Sequence, residues 1–385
     1  METTSNLPIV NVEDFSNIIK MQFNERNYRP IFGLGKGGIG KTESIYELTK
    51  ELNIGYVDIR LLLYTETDLK GIPYPNETHT KTVWLENDIL PTWDTSKEIS
   101  SKNNSRGILV LDEITSAQKS VRTAAYQLLN ERKLGSYVLP DGWLVVCLGN
   151  GEEDGGDYQG MEGNFANRCS VFNVVPDVDA WKDWAFKHGV NTLVTAYINF
   201  KPSDLHSYNN DIDSGDNILF ASPRSWVAVS NILNVNEFNY NDRVLSSRII
   251  ANLGQEVGHT FLSFCRYKND TINPEDILKN GAMPKANSAE VINITVQSLI
   301  KYISDKIAKD LSTGRNEIQL DTVQYVANAL KWILSLRAEY AVMGVKDLIR
   351  YNPTVMTRIL LNNELHKRCP QLMEFIAKNK AIFND

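Results

Sequence analysis

Gly35-Lys36-Gly37-Gly38-Ile39-Gly40-Lys41-Thr42 is the stretch on which the fold turns. It fills every fixed position of the spacing GxxxxGK[ST], with an apolar strand stub at Ile31–Gly33 before it. A helical pattern follows over Lys41–Asn53, where Ile45, Leu48 and Leu52 fall near one face. Each part has a physical reason. Glycines let successive N–H groups turn inward without Cβ clashes. A helix that starts near Lys41 points its positive end at whatever the loop holds. The lysine ammonium reaches β- and γ-phosphates, and a threonine hydroxyl is a hard oxygen ligand for Mg²⁺. The pattern predicts that Gly35, Lys36, Gly37, Gly38, Ile39, Gly40, Lys41, Thr42 and Glu43 surround a nucleoside triphosphate, with Thr42 also on the metal. A glycine-rich turn without function is the rival, and the full match between strand and helix counts against it.

About 70 residues on, Gly107-Ile-Leu-Val-Leu-Asp112-Glu113 is an apolar strand that ends in two carboxylates. A buried parallel strand delivers its C-terminal residues to the crevice where ligands bind. Asp112 is placed to hold Mg²⁺ through water, and Glu113 to orient and deprotonate an attacking water. Alone, this is also the pattern of a strand with an acidic turn; after a phosphate loop, the catalytic reading is the stronger. A glutamate beside the metal-binding aspartate suits NTPases that activate water themselves. It disfavours a small-molecule kinase, where a hydrolytic base wastes ATP.

Around these two motifs, short apolar runs alternate with helical patterns as far as about residue 200, which predicts a mainly parallel sheet with helices on both faces. Further strands are expected at Ile54–Leu61, Trp143–Leu148 and Val171–Val175, and a helix at Ala117–Arg132 capped by Thr115 or Ser116. Residues 64–106 read as polar and irregular, with prolines at 73, 75 and 91. From about 220 the pattern is helical: Pro223–Leu233, Asp242–Asn252, a short helix from Asn273 to Lys279, then Ser288–Leu311, Thr322–Met343 and a last helix from about Asn363. Expected fold class is therefore α/β, a P-loop NTPase with a three-layer αβα core on a parallel sheet, followed by an all-α lid and C-terminal helices. The expected divisions are an N-terminal segment 1–29, a core 30–205, a lid 206–283 and a helical region 284–385.

The 385 residues are 42% hydrophobic and 23% charged, ordinary for a globular chain, and the formal net charge is −7. An acidic balance disfavours general binding to nucleic acid or an anionic membrane. No apolar run approaches the ~18–20 residues of a membrane span, and METTSNLPIV lacks the basic-then-apolar order of a signal peptide. Cys147, Cys169, Cys265 and Cys369 are scattered without CxxC spacing, which suggests a reducing compartment and no structural zinc. The expected location is cytoplasmic.

The ordered set of motifs resembles the AAA+ ATPases and, more narrowly, their MoxR-like group. After the phosphate loop come Asp58-Ile-Arg-Leu, Thr67-Asp-Leu-Lys-Gly-Ile-Pro73, Leu111-Asp-Glu-Ile114, Asn130-Glu-Arg-Lys-Leu-Gly135, Leu139-Pro-Asp-Gly-Trp143, Leu148-Gly-Asn150, Ala166-Asn-Arg168 and Ser222-Pro-Arg-Ser-Trp226. The resemblance covers about residues 30–280, and the phosphate loop by itself says only NTPase. It implies that Asn150, at the end of the fourth strand, holds the attacking water opposite Glu113; an asparagine serving a turn between Gly149 and Gly151 is the alternative. Arg168 is implied as the arginine finger that reaches a neighbour's γ-phosphate, its delocalised permanent charge suiting phosphoryl transfer. Cys169 stands where the group usually has phenylalanine. Arg132 is a second interface candidate. Arg224 is implied as the sensor 2 arginine, opening a lid helix and touching γ-phosphate within its own subunit. A cation in a first turn opposes the helix dipole, which points to an anionic partner.

The resemblance further implies ATP and Mg²⁺ as cofactors and self-association into a homo-oligomeric, hexameric ring. Hydrolysis would remodel a protein client in a chaperone-like way, with a von Willebrand factor A domain partner. Two rivals remain: an AAA+ motor or loader acting on nucleic acid in a restriction-like system, and an ATP-binding assembly switch that barely hydrolyses. Asp68 and its neighbours fall where the group carries an insertion facing the ring, and serve either a client or the loop itself. The acidic segment Gly151–Gly163 lacks the spacing of a calcium loop and reads as solvated. Ser116-Ala-Gln-Lys119 matches SxxK, but a helix N-cap at Ser116 explains it better. No HExxH or GxSxG occurs.

Overall fold

The structure, a computed structural model, describes residues 7–85, 88–92, 106–151, 167–208, 219–236, 238–239, 241–312 and 318–380. The acidic segment falls almost wholly outside these residues, as does Ala166. The described residues divide at Asp177/Val178 into two compact units.

The first unit is built on β1 (Ile9–Val10), β2 (Ile31–Leu34), β3 (Gly55–Arg60), β6 (Gly107–Asp112), β9 (Trp143–Gly149) and β10 (Ser170–Val174). Between them lie α1 (Val12–Asn24), α2 (Lys41–Leu52), α3 (Glu66–Lys70) and α4 (Lys119–Glu131). Two short hairpins pair β4 (Ile72–Pro75) with β5 (Thr82–Leu85) and β7 (Lys133–Leu134) with β8 (Tyr137–Val138). The main sheet runs β1-β10-β2-β9-β6-β3 and every pairing in it is parallel. Alternation along each strand sends side chains to opposite faces. Ile108 and Val110 of β6, with Leu144, Val146 and Leu148 of β9, meet Phe15 and Ile19 of α1 and Ile45 and Leu48 of α2. Leu109, Leu111, Val145 and Cys147 meet Val121, Ala124, Ala125 and Leu128 of α4 on the other face. Helix, sheet, helix is the three-layer architecture of an α/β P-loop NTPase, as expected.

Several local features differ from expectation. The N-terminal segment belongs to the core: β1 pairs with β10, Asn11 Oδ1 caps α1 by accepting from Asp14 N at 2.7 Å, and Phe15, Ile19 and Phe23 are buried. Residues 64–106, expected to be irregular, contain α3 and the β4–β5 hairpin. Helix α4 starts at Lys119 after Gln118, so neither Thr115 nor Ser116 caps it; both sit in a 3₁₀ turn, Ile114–Ser116.

The second unit is helical. It holds α5 (Val178–Lys187), α6 (Thr192–Phe200), α7 (Pro223–Val235), α8 (Arg243–Leu253), α9 (Gln255–Cys265) and α10 (Pro274–Leu278). Then come α11 (Ala289–Ser312), α12 (Leu320–Leu334), α13 (Ala338–Tyr351), α14 (Pro353–Leu360), α15 (Asn363–Arg368) and α16 (Gln371–Lys378). Residues 178–205, expected in the core, cluster here instead. One apolar cluster gathers α5 to α9 around Tyr197, Trp226 and Phe261; another gathers α10 to α16 around Leu299, Leu330 and Trp332. The helix expected over Thr322–Met343 is two, α12 and α13, with the break at Ser335–Arg337, where the Ser335 hydroxyl donates to Trp332 O at 2.6 Å. No helix among the described residues is long and apolar enough to cross a membrane.

Candidate nucleotide site

β2 ends at Leu34, and the chain turns into the loop Gly35–Gly40 before α2 begins. Gly35 N donates to Gly149 O at 3.1 Å, tying the loop to the end of β9. A Cβ at Gly35 would stand 2.1 Å from Val174 O, so only glycine lets the loop pass this close to β10. Gly40 takes φ +101°, the left-handed turn that swings the chain into α2 and that side chains resist. A Cβ at Gly37 or Gly40 would meet no described atom within 4 Å, so this part of the loop borders open space. Ile39 anchors the loop in the core beneath it.

Lys41 is only 8% exposed. Its ammonium donates to Gly35 O at 2.5 Å and Lys36 O at 2.8 Å, and so lies along the loop itself. Thr42 Oγ1 donates to Asp112 Oδ2 at 2.9 Å. Glu43 is exposed in the first turn of α2. The Glu113 N–H donates to Asp112 Oδ1 at 2.8 Å, and Glu113 sits at φ +56°. A non-glycine residue held left-handed costs of order 1 kcal/mol and persists only where its surroundings fix it. Here the bond to Asp112 and the 3₁₀ turn behind it do so.

Asn150 follows β9, the strand between β2 and β6. Its N–H donates to Thr115 Oγ1 at 3.1 Å. A Cβ at Gly149 would lie 2.6 Å from Thr115 Cγ2, so the two strand ends meet at Thr115. That residue joins strands rather than capping a helix; the signal for it in the sequence is its place two residues after the acidic pair. Thus the strand order gathers Gly35–Thr42, Asp112, Glu113 and Asn150 at the C-terminal edge of one sheet.

Arg168 is exposed on the turn before β10. Ser170 pairs with Ile31, the first residue of β2, whereas the phosphate loop follows its last. At ~3.3 Å per residue the strand alone puts roughly 10 Å between those ends. The backbone on either side of Arg168 is pinned by Arg29, which donates to Asn167 O at 2.8 Å and Cys169 O at 3.3 Å. Burial pushes the Cys169 thiol up to about 12, with the Arg29 charge opposing. Arg132 plays a structural part. Its guanidinium donates to Pro140 O at 2.7 Å and Trp143 O at 2.8 Å, and it lies 5.6 Å from the Tyr28 ring centre. Asp68 likewise serves its own helix, accepting from Thr65 N and Oγ1 at 2.7 Å; these bonds hold its carboxyl below the usual range. Arg224 lies in the second unit, exposed in the first turn of α7, where Ser222 and Ser225 form a capping box.

No motif points to Tyr56 or, as a site residue, to Asp58, both on β3. The Tyr56 hydroxyl and the Asp58 carboxyl lie near each other on one face of the strand. Asp58 is exposed at the sheet edge; partial burial, then the charge of Asp112, raises its carboxyl, with Arg60 opposing.

Thr42 and Asp112 offer a hydroxyl and a carboxylate, hard oxygen donors that suit Mg²⁺. Among the described residues no group of three or more His, Cys, Asp or Glu is disposed to cage a metal. A Mg²⁺ site completed by substrate phosphates and water needs none.

No protein-family model and no curated protein sequence matches the chain. Among solved structures it is similar to a proposed ATPase from Cytophaga hutchinsonii, with 14% identity, 82% of this chain and 80% of that one covered, and a TM-score of 0.33. NtrX from Brucella abortus in complex with ADP gives 12% identity, coverage of 95% and 68%, and a TM-score of 0.35. Hsp104 with ATPγS and FITC-casein gives 14%, 66% and 46%, and 0.35. Similarity at this level carries no argument about what this chain does; its own strand order and loop geometry give the α/β P-loop fold.

Proposed function

We propose that the chain is a Mg²⁺-dependent ATPase of the AAA+ class, MoxR-like, acting as a homo-oligomeric ring that remodels a protein client. The observation that carries the reading is the Thr42–Asp112 hydrogen bond. It brings the last residue of the phosphate motif against the carboxylate that ends β6, at the edge where β2, β6 and β9 finish together.

In this reading the loop N–H groups and Lys41 bind the β- and γ-phosphates, and Thr42 and Asp112 hold Mg²⁺. The metal, when bound, neutralises charge on the phosphates. Glu113 takes a proton from the attacking water, and Asn150 fixes that water from the next strand. Its left-handed backbone supports a working base at Glu113, since such strain collects where geometry matters. That favours turnover over a passive assembly switch. Arg168 stands at the far end of β10 from its own loop, which supports a role on a neighbouring subunit's γ-phosphate and hence a ring. By resemblance, Arg224 reads γ-phosphate for the lid. The client, a von Willebrand factor A domain partner and a six-subunit ring rest on the resemblance alone.

The test is phosphate release from ATP by the purified chain, with and without Mg²⁺, beside Lys41→Ala and Glu113→Gln. Hydrolysis that needs Mg²⁺ and disappears in both variants supports the reading. Phosphate release that is unchanged in both would remove it.

A further inference from the structure

The metal side of the phosphate loop has an acidic neighbour that no motif describes. β3 is the edge strand, paired with β6 in the register Tyr56↔Ile108, Asp58↔Val110, Arg60↔Asp112. Paired residues of in-register parallel strands point to the same face. Tyr56, Asp58 and Arg60 therefore share the face of Ile108, Val110 and Asp112. Helix α2 lies over the Tyr56 end of that face, its Tyr46 ring 5.2 Å from the Tyr56 ring, while Asp58 and Arg60 are exposed. Asp58 stands one row back from Asp112 along it.

The charges agree with this placement. Asp58 lies within reach of the charges of Asp112 and Glu113, and Tyr56 within reach of Asp58, Asp112 and Glu43. The charges of Asp112, Glu113 and Glu43 thus act on these two residues, with Arg60 offsetting part of the charge at Asp58. Like charges held together cost stability until a cation joins them. Mg²⁺ held by one hydroxyl and one carboxylate keeps several waters, and those waters need acceptors. Groups of that outer shell orient the ligands and tune affinity for the metal.

We infer that Asp58, beside Tyr56 on the same face of β3, is a positioning residue of the Mg²⁺ site whose carboxylate accepts from metal-bound water. The inference rests on the ATPase reading above and extends it to a residue outside the phosphate-loop and acidic-pair motifs. Asp58 touches no reacting atom; it acts through the metal's water shell.

The test is binding of mant-ATP to the full chain, first in EDTA and then titrated with Mg²⁺. Wild type is compared with Asp58→Asn, Asp58→Glu, Tyr56→Phe and Lys41→Ala. Asp58→Asn should bind mant-ATP in EDTA at least as tightly as wild type. The Mg²⁺ concentration at half-effect should rise about tenfold or more, the usual size of an outer-shell loss. Tyr56→Phe should shift it less in the same direction, and Asp58→Glu should lie closer to wild type. Melting curves give a second reading: without metal, Asp58→Asn should melt no lower than wild type, and it should gain less from Mg·ADP. A wild-type magnesium titration in Asp58→Asn overturns the inference and leaves the nucleotide site standing. So does an equal loss of binding in EDTA, which would place Asp58 on the nucleotide rather than the metal. If wild type binds no mant-ATP under either condition, or Lys41→Ala binds as well as wild type, the phosphate-loop reading itself falls.

Discussion

Thr42 Oγ1 donates to Asp112 Oδ2 across 2.9 Å, although the two residues lie 70 positions apart in the chain. The bond crosses from the first turn of α2 to the last residue of β6. On the proposed reading both oxygens stand ready beside the metal position, Thr42 as a ligand and Asp112 through water, before the nucleotide arrives. Positive φ at Glu113 directly beyond Asp112 turns the chain so that the next carboxylate is fixed relative to the first.

Removing one half of that pair has a defined cost. Thr42→Val keeps the shape of the side chain and deletes the hydroxyl. The fold should lose no more than about 1.5–3 kcal/mol, the worth of a hydrogen bond to a charged group. Thr42→Ser should hold Mg²⁺ nearly as wild type does, while Thr42→Val should need at least about tenfold more, by analogy with other losses around metals. Isothermal titration of Mg·ADP into each variant measures this, and equal affinities would show that Thr42 is not a ligand.

Glu113 combines the proposed role of general base with a left-handed backbone. Glu113→Gln keeps both the size and the left-handed backbone, so ATP binding should persist while hydrolysis falls by about 10²–10⁴, the usual share of a general base. Glu113→Gly is equally without a base but tolerates φ +56° without penalty. It should therefore melt higher than Glu113→Gln, by a margin near the ~1 kcal/mol of relieved strain. Melting temperatures of the two variants, measured without nucleotide, decide the comparison; an equal or lower value for Glu113→Gly would mean that the turn is not strained.

What the sequence shows and what it hides follow from how far apart the partners lie. The phosphate loop and the acidic pair are legible because their chemistry is carried by contiguous residues. The burial of Leu109 on one face and Val110 on the other follows from an unbroken apolar run flanked by helical patterns. Helix α6 leaves no readable signal because Thr192–Phe200 is apolar on nearly every side. Leu193 to Ile198 are all buried, so no polar face marks the helical period. Helix α1 carries a clear stripe at Phe15, Ile19 and Phe23, yet nothing nearby indicates that the preceding strand closes on β10. Thr115 and Asp58 acquire meaning only from residues 35 to 54 positions away, Asn150 and Asp112, and no local pattern records such a pairing.

Arg168 and Lys41 allow a test of shared sites. Lys41→Ala should lose nucleotide binding. Arg168→Ala should keep it and lose on the order of 10³-fold or more in hydrolysis, the scale of an arginine finger. Because Arg168 is exposed at the end of β10 away from its own loop, mixing the two inactive variants should restore part of the activity. In the proposed ring one subunit would then supply an intact pocket and its neighbour the arginine. No recovery in mixed oligomers verified by mass spectrometry would count against a role between subunits.

In the helical unit, Asp347 has no solvent exposure and gathers partners from four helices. Lys182 of α5, itself 4% exposed, lies 2.5 Å from Asp347 Oδ1. Asn199 of α6 and Gln297 of α11 donate to Oδ2 at 2.8 and 2.7 Å, and Arg350 of α13 reaches Oδ1 at 3.3 Å while also pairing with Asp179 and Asp183 of α5. Deleting one member of a buried pair leaves the other charge without compensation, which costs about 3–5 kcal/mol. Asp347→Ala should therefore lower the denaturant midpoint strongly. Lys182→Met does the same from the other side, since it leaves Asp347 with only part of its compensation. If the pair rather than each residue matters, Lys182→Met combined with Asp347→Leu should be less destabilised than the sum of the single changes by about 0.5–3 kcal/mol. Urea unfolding of the four proteins decides it: strict additivity would show that Asp347 is held by its amide and arginine partners and that Lys182 contributes through packing alone.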